Sequence, residues 1–161
     1  MIKLELDITH IVFYINKSID KDEVMKGQCV CGATTFSVML KNHDVHVCHC
    51  SICRRQTSGV IMTIDTEQGS LVFDQQAHLT VYNSSEWGER GFCNVCGTNL
   101  FWRTKDQSYC NINAFALNDS PEDLKLDLEI YIDNKPQFYS FDNETKKMTE
   151  ADVIALFNPT E

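Results

Sequence analysis

The sequence predicts a mainly β domain organised around clustered cysteines, and three observations carry that reading. Short β-rich runs recur between turn residues, seven of the eight cysteines gather into three tight knots, and a complete helix signal stands only at the C-terminus. A chain of 161 residues, 43% of them hydrophobic, is long enough for one domain with its own core and short for two. Residues 27–161 are expected to form that domain, with residues 1–26 as an N-terminal extension.

In the extension, the alternation of Ile2, Leu4, Leu6 and Ile8 suggests an added strand. The β-rich runs that follow are Thr35–Leu40, Val60–Ile64, Ser70–Phe73, His78–Tyr82, Asn99–Arg103, Asn111–Phe115, Leu128–Ile132 and Phe138–Phe141. Their β-branched and aromatic residues suit a pleated, half-buried surface, and the segments between them (GQ, EQG, NSS, KDQ, NDSPED, DNKP) are turn chemistry. Helix signals are few. One turn is expected after Cys53, and Thr149 can cap a run from Glu150 to Phe157, with Asp152 at the capping-box position and Asn158-Pro159 as the stop.

Charge and hydropathy narrow the class of function. The chain carries 14 Lys and Arg against 23 Asp and Glu, a formal net charge of −9. Binding nucleic-acid phosphates calls for a basic face, so nucleic acid is not expected as a partner. No apolar run is long enough for a membrane span. Lys3, Glu5 and Asp7 precede the short run Ile11–Ile15, and no small-residue cleavage site follows it, so no secretory signal is read. A cytoplasmic location is the expectation, and there a disulfide framework gives way to metal or redox chemistry. Scattered core cysteines would not gather as these do.

Cys29-x-Cys31 and Cys93-x-x-Cys96 are two short hooks, each followed directly by a glycine, Gly32 or Gly97, that lets the backbone turn and bring amides toward the thiolates. Together they supply the four sulfurs of a closed, structural zinc site that ties distant parts of the chain. Cys48, Cys50 and Cys53 are left as three thiolates without an evident fourth, the pattern of catalytic zinc with one open position. Other readings stay open. His46 lies on the same strand face and Cys110 could reach in from a neighbouring strand, either of which would close the site, while His49 points the other way. The thiols could also be metal-free nucleophiles, activated by Arg54 and Arg55.

Three stretches, GQCVCGATTF (Gly27–Phe36), CHCSICRRQTSG (Cys48–Gly59) and RGFCNVCGTNL (Arg90–Leu100), resemble in order and spacing the signatures of the glutathione-dependent formaldehyde-activating enzyme family. The resemblance spans residues 27–141. It implies tent-like β-sheets with a zinc at their seam on Cys29, Cys31, Cys93 and Cys96, and a second, catalytic zinc on Cys48, Cys50 and Cys53. It also implies carbon–sulfur lyase chemistry that joins or splits formaldehyde and glutathione as S-(hydroxymethyl)glutathione. The chain departs from the family pattern at Glu129-Ile130, where a His-Ile pair is frequent, at Phe138, where a tryptophan follows a lysine, and in the polar insertion Asn118–Asp123. If those positions shape the pocket, the metal chemistry persists while the substrate differs.

Three thiolates and Zn²⁺ sum to a single negative charge, which weakens the metal as a Lewis acid unless cations or amides surround it. All four arginines, Arg54, Arg55, Arg90 and Arg103, lie beside or between the second and third motifs. Arg54 and Arg55 are candidates to bind the carboxylates of a glutathione-like thiol, with bracing of the zinc loops as the alternative; Arg90 and Arg103 are read as braces. Phe92, Phe101 and Trp102 are either pocket wall or core, and Thr57 and Ser58 either substrate donors or turn caps. No paired carboxylates single out a general acid or base. The functional expectation is therefore a zinc lyase or synthase acting on a thiol such as glutathione and an aldehyde, set against a non-enzymatic, zinc-stapled binding module.

Overall fold

The computed structural model describes residues 23–157. Its axis is strand β2, Thr35–Cys48, whose 14 residues serve two groups of partners. The first half pairs antiparallel with β1 (Val24–Gln28) and β4 (Val72–Gln75). The second half lies between antiparallel β3 (Ile61–Thr66) and parallel β9 (Lys125–Ile130). The register with β3 shifts between Leu40 and Val45, the kind of irregularity at which one strand passes from one sheet surface to another.

From β3 the sheet continues through β8 (Cys110–Asn113), β7 (Asn99–Thr104), β6 (Gly88–Cys93) and β5 (Leu79–Asn83), and beyond β9 it ends at parallel β10 (Lys146–Met148). The molecule is mainly β, as the sequence predicts. Phe36, Val38, Ile64, Leu100, Phe101 and Ile112 are buried between the two surfaces, and Phe73 joins them with its ring 5.9 Å from Phe36 and 5.7 Å from Phe101. Each such side chain contributes about 1.5–3 kcal/mol by leaving water.

Two helices stand against the sheet. Helix α1, Ser51–Thr57, begins before Cys53 rather than after it, because Cys50 caps it and accepts the Cys53 amide. Helix α2, Glu150–Phe157, has the expected capping box: the Thr149 amide donates to Asp152 Oδ2 at 2.8 Å and the Asp152 amide donates back to Thr149 Oγ1 at 3.2 Å. The expected stop at Asn158-Pro159 and the strand expected around Ile2–Ile8 lie outside the described residues. No helix among the described residues is long and apolar enough to cross a membrane.

The departures from expectation have local causes. Phe138–Phe141 forms no strand: both edges of β9 are already taken by β2 and β10, and Pro136 removes a donor just upstream. The run Asn111–Phe115 stops at Asn113, whose side chain accepts the Phe115 amide at 3.1 Å and starts a 3₁₀ turn over Ala114–Ala116. Leu128–Ile132 belongs to a strand that begins at Lys125 and ends at Ile130, where Tyr131 takes a left-handed φ of 56°. Strand β6 carries little β propensity because Gly91 must be bare: a Cβ there would stand 2.0 Å from the Phe101 ring.

Candidate metal centres and the adjoining cavity

The turn after β1 delivers Cys29 and Cys31, and the end of β6 with its following turn delivers Cys93 and Cys96. The four sulfurs lie within 4.8 Å of one another, with Cys29 and Cys31 3.5 Å apart and Cys31 and Cys93 3.9 Å apart. Sulfurs placed tetrahedrally at the usual zinc–sulfur bond length would stand about 3.8 Å apart. None is in a disulfide. Gly32 and Gly97 take φ of 73° and 77°, so each hook folds back with the glycine amide on the first cysteine's carbonyl, at 3.0 and 2.8 Å. Thr98 joins the hooks: its Oγ1 accepts the Val30 amide at 3.1 Å and lies 3.2 Å from Cys96 Sγ. The Thr98 hydroxyl and amide pull the Cys96 thiol down to about 5. Such a donor set fits a four-thiolate metal.

The second group is built at one end of the sheet. Cys48 ends β2, Cys50 caps α1, and Cys53 is buried in the first turn of that helix. Their sulfurs also lie within 4.8 Å of one another, and among the described residues no fourth Cys, His, Asp or Glu completes the group. Hydrogen bonding from Cys48, and then from Cys53, holds the Cys50 thiol down to about 2, while the contact with Cys50 pushes Cys48 up. The trio thus favours one thiolate and resists the rest, a repulsion that a bound cation relieves.

Arg90 on β6 supplies the neighbouring positive charge. It is 5% exposed, its Nη2 donates to Cys53 Sγ at 3.1 Å, its Nη1 donates to Ser84 Oγ, and its Nε is buried without a partner. The expectation for Arg90 was a brace; the structure also puts it on a thiol. Arg54 donates from Nε to the His49 carbonyl at 2.8 Å, Arg55 is exposed on α1, and neither lines the cavity beside the cluster. Arg103 pairs with Glu89 at 2.6 Å and lies over the Phe101 ring.

That cavity has a volume of about 590 Å³, with Cys48, Cys50 and Cys53 in its wall. Trp102 lines it, whereas Phe101 is core and Phe92 does not reach it. Thr57 donates to the Cys53 carbonyl at 3.0 Å and Ser58, with φ 54°, caps α1, so both serve the helix end. Cys110 stands outside both sulfur groups, and burial pushes its thiol up to about 11.

The structure adds a polar corner of which the sequence singled out only His46, there as a candidate fourth ligand, which the structure leaves outside the sulfur group. His46, Asp65, Tyr109 and Asn111 all line the cavity. The Tyr109 hydroxyl donates to Asp65 Oδ1, His46 Nδ1 stands 3.6 Å from the same oxygen, and Asn111 Nδ2 donates to the Tyr109 oxygen at 3.4 Å. Burial first, then Asp65, pushes the Tyr109 phenol up, so it stays protonated. The signal lay in register: His46 faces Thr63, and Asp65 faces Asn111, which puts one residue of each strand on the same face.

On the other side of the Cys48–Cys50 segment, His49 is fully buried, its Nε2 2.8 Å from Glu129 Oε2 and its Nδ1 2.6 Å from the Tyr139 hydroxyl. Thr145 donates to the second Glu129 oxygen at 2.6 Å. Burial pushes the Glu129 carboxyl up, but Thr145 and His49 outweigh it and hold the group below its usual range. None of Glu129, Phe138 and the insertion Asn118–Asp123, where the chain departs from the family pattern, lines the cavity; Phe138 is 87% exposed.

Comparison with known proteins agrees with this architecture. The model of the glutathione-dependent formaldehyde-activating enzyme family matches residues 24–134. An uncharacterised lyase of Schizosaccharomyces pombe is 32% identical over 130 residues, 80% of this chain and 93% of the relative. The crystal structure of a Rhodobacter sphaeroides protein superposes with a TM-score of 0.54 at 27% identity, over 61% of this chain and 92% of that one. The chain belongs to the glutathione-dependent formaldehyde-activating enzyme family.

Proposed function

We propose that this protein is a zinc-dependent carbon–sulfur lyase, or synthase in the reverse direction, acting on a thiol–aldehyde adduct of the S-(hydroxymethyl)glutathione type. The observation that carries the proposal is the three-sulfur group, without a fourth ligand among the described residues, in the wall of a substrate-sized cavity. Family membership and the lyase-named relative support a glutathione-related, lyase-type activity.

Cys29, Cys31, Cys93 and Cys96 hold a structural zinc in this reading, and Cys48, Cys50 and Cys53 hold the catalytic one. A zinc held there would supply a Lewis acid that favours the thiolate form of a substrate sulfur. Cleavage returns the carbon–sulfur electron pair to sulfur, turns the carbinol carbon into an aldehyde, and moves the hydroxyl proton to the departing thiolate or to solvent. Arg90, against Cys53, offsets the negative charge of three thiolates. The corner of His46, Asp65, Tyr109 and Asn111 offers hydrogen-bond partners to the adduct's hydroxyl. Arg54 braces the Cys48–Cys50 turn through the His49 carbonyl.

Cobalt substitution tests the open position. Entry of a thiol should change the cobalt absorption spectrum, because ligand number and geometry set it. Cys50→Ser should leave the domain folded on its other metal, weaken the second metal and abolish activity. An unchanged spectrum with every thiol, joined to a stability loss in Cys50→Ser as large as that of Cys96→Ser, would leave a doubly stapled binding domain instead.

A further inference from the structure

We infer that this cavity keeps the hemithioacetal chemistry but takes, in place of glutathione itself, a thiol with an apolar aryl or alkyl body and no carboxylate. The inference rests on the proposed reading of Cys48, Cys50 and Cys53 as an open thiol-binding site. Its ground is the rest of the cavity wall. Trp87, Trp102, Tyr131, and Ile154 with Phe157 of α2 come from four segments and converge on the same space. The Trp87 ring stands 5.2 Å from Trp102 and 5.2 Å from Phe157, so the aromatic surface is continuous. Trp87, Ile154 and Phe157 remain 47%, 48% and 46% exposed, an apolar wall open to solvent beside a thiol-rich centre.

Charge points the same way. Among the described residues Arg90 is the only lysine or arginine lining the cavity, and its terminal nitrogens are already engaged by Cys53 and Ser84. Two carboxylates, Asp65 and Glu150, line it as well. A glutathione-like thiol would bring two more against a single ammonium, leaving at least one carboxylate without a lysine or arginine partner among the described residues, and an unpaired carboxylate pays heavily for leaving water. The adjoining cleft, of about 800 Å³, shares Trp87, Tyr131 and Phe157, and the one cation lining it among the described residues, Lys105, stands next to Asp106. Arg54 and Arg55, the residues that the sequence offers for carboxylates, line neither space. An adduct R–S–CH(R′)–OH with apolar R fills the volume, meets the aromatic wall and divides into thiol and aldehyde without any further reagent.

The test is direct binding to the cobalt-loaded full-length protein, with phenylmethanethiol, 2-aminoethanethiol and glutathione as probes. Two readouts are followed, cobalt absorption and the fluorescence of Trp87 and Trp102, the only two tryptophans of the chain. Phenylmethanethiol should bind at least about tenfold more tightly than glutathione, as burial of an aromatic ring implies, and should alter both signals. Phe157→Ala should weaken phenylmethanethiol several-fold more than glutathione and so reduce that preference toward unity, with the metal content unchanged; Ile154→Ala is the second variant should the first fail to fold. Equal or tighter binding of glutathione, or of the cationic thiol, with a cobalt response would overturn the inference and leave the open site standing. No cobalt response to any of the three would overturn the open-site reading and this inference with it.

Discussion

Glu129→Ala probes the clamp behind the second sulfur group. Glu129 is 2% exposed and ties β9 to two segments, through His49 at 2.8 Å and Thr145 at 2.6 Å. Truncation removes both contacts and leaves His49 Nε2 buried with no partner, in a residue with no exposed surface. Breaking a buried, hydrogen-bonded pair from one side costs about 3–5 kcal/mol. For a domain of this length that corresponds to a fall in Tm of roughly 6–20 °C. Urea unfolding followed by tryptophan fluorescence, in a double-mutant cycle with His49→Ala, measures both the loss and its coupling. The carboxyl is held below its usual range in the folded protein, so its stabilisation is complete above the unfolded carboxylate value of about 4.3 and disappears as pH falls through the lower folded value. The gap between wild type and variant should thus be flat from neutral pH down to about pH 5 and narrow in acid. A loss below about 1 kcal/mol at pH 7, or a gap that widens in acid, would refute the clamp.

Cys96→Ser should release one metal equivalent and destabilise the fold severely, because the four-sulfur group joins the turn after β1 to the turn after β6; metal analysis with thermal melting checks this. Arg90→Gln should weaken metal retention at Cys48, Cys50 and Cys53 under a competing chelator, leave the four-sulfur group loaded, and cost about 1.5–3 kcal/mol for the lost charge-assisted contacts. Gly91→Ala should cost about 1–3 kcal/mol in denaturant unfolding, since its Cβ would overlap the buried Phe101 ring, and Gly91→Ala with Phe101→Leu should recover part of that loss.

The sequence by itself determined what depends on neighbours along the chain. Each cysteine hook with its glycine, the Thr149–Asp152 capping box and the strands with clear alternation are encoded within a few residues, and the structure contains them. Family signatures belong to the same level, since they are spacings within short windows. Position across the sheet was decided elsewhere. Arg90 reaches Cys53 over 37 positions of chain because the fold brings its side chain from β6 to the buried thiol of α1, whereas Arg54 and Arg55, beside the cysteines in sequence, do not line the cavity that Ser51, Ile52 and Cys53 of the same helix do. His46, Asp65, Tyr109 and Asn111 share a corner only through the registers of β2, β3 and β8, and a slip of one residue would turn each side chain to the opposite face. Strand β6 was illegible because its glycines make room for two rings of the neighbouring strand β7, and Phe138–Phe141 misled because a β-rich run becomes a strand only where an edge is free. Local chemistry fixes which side chains can bind a metal; long-range pairing fixes which other groups face it.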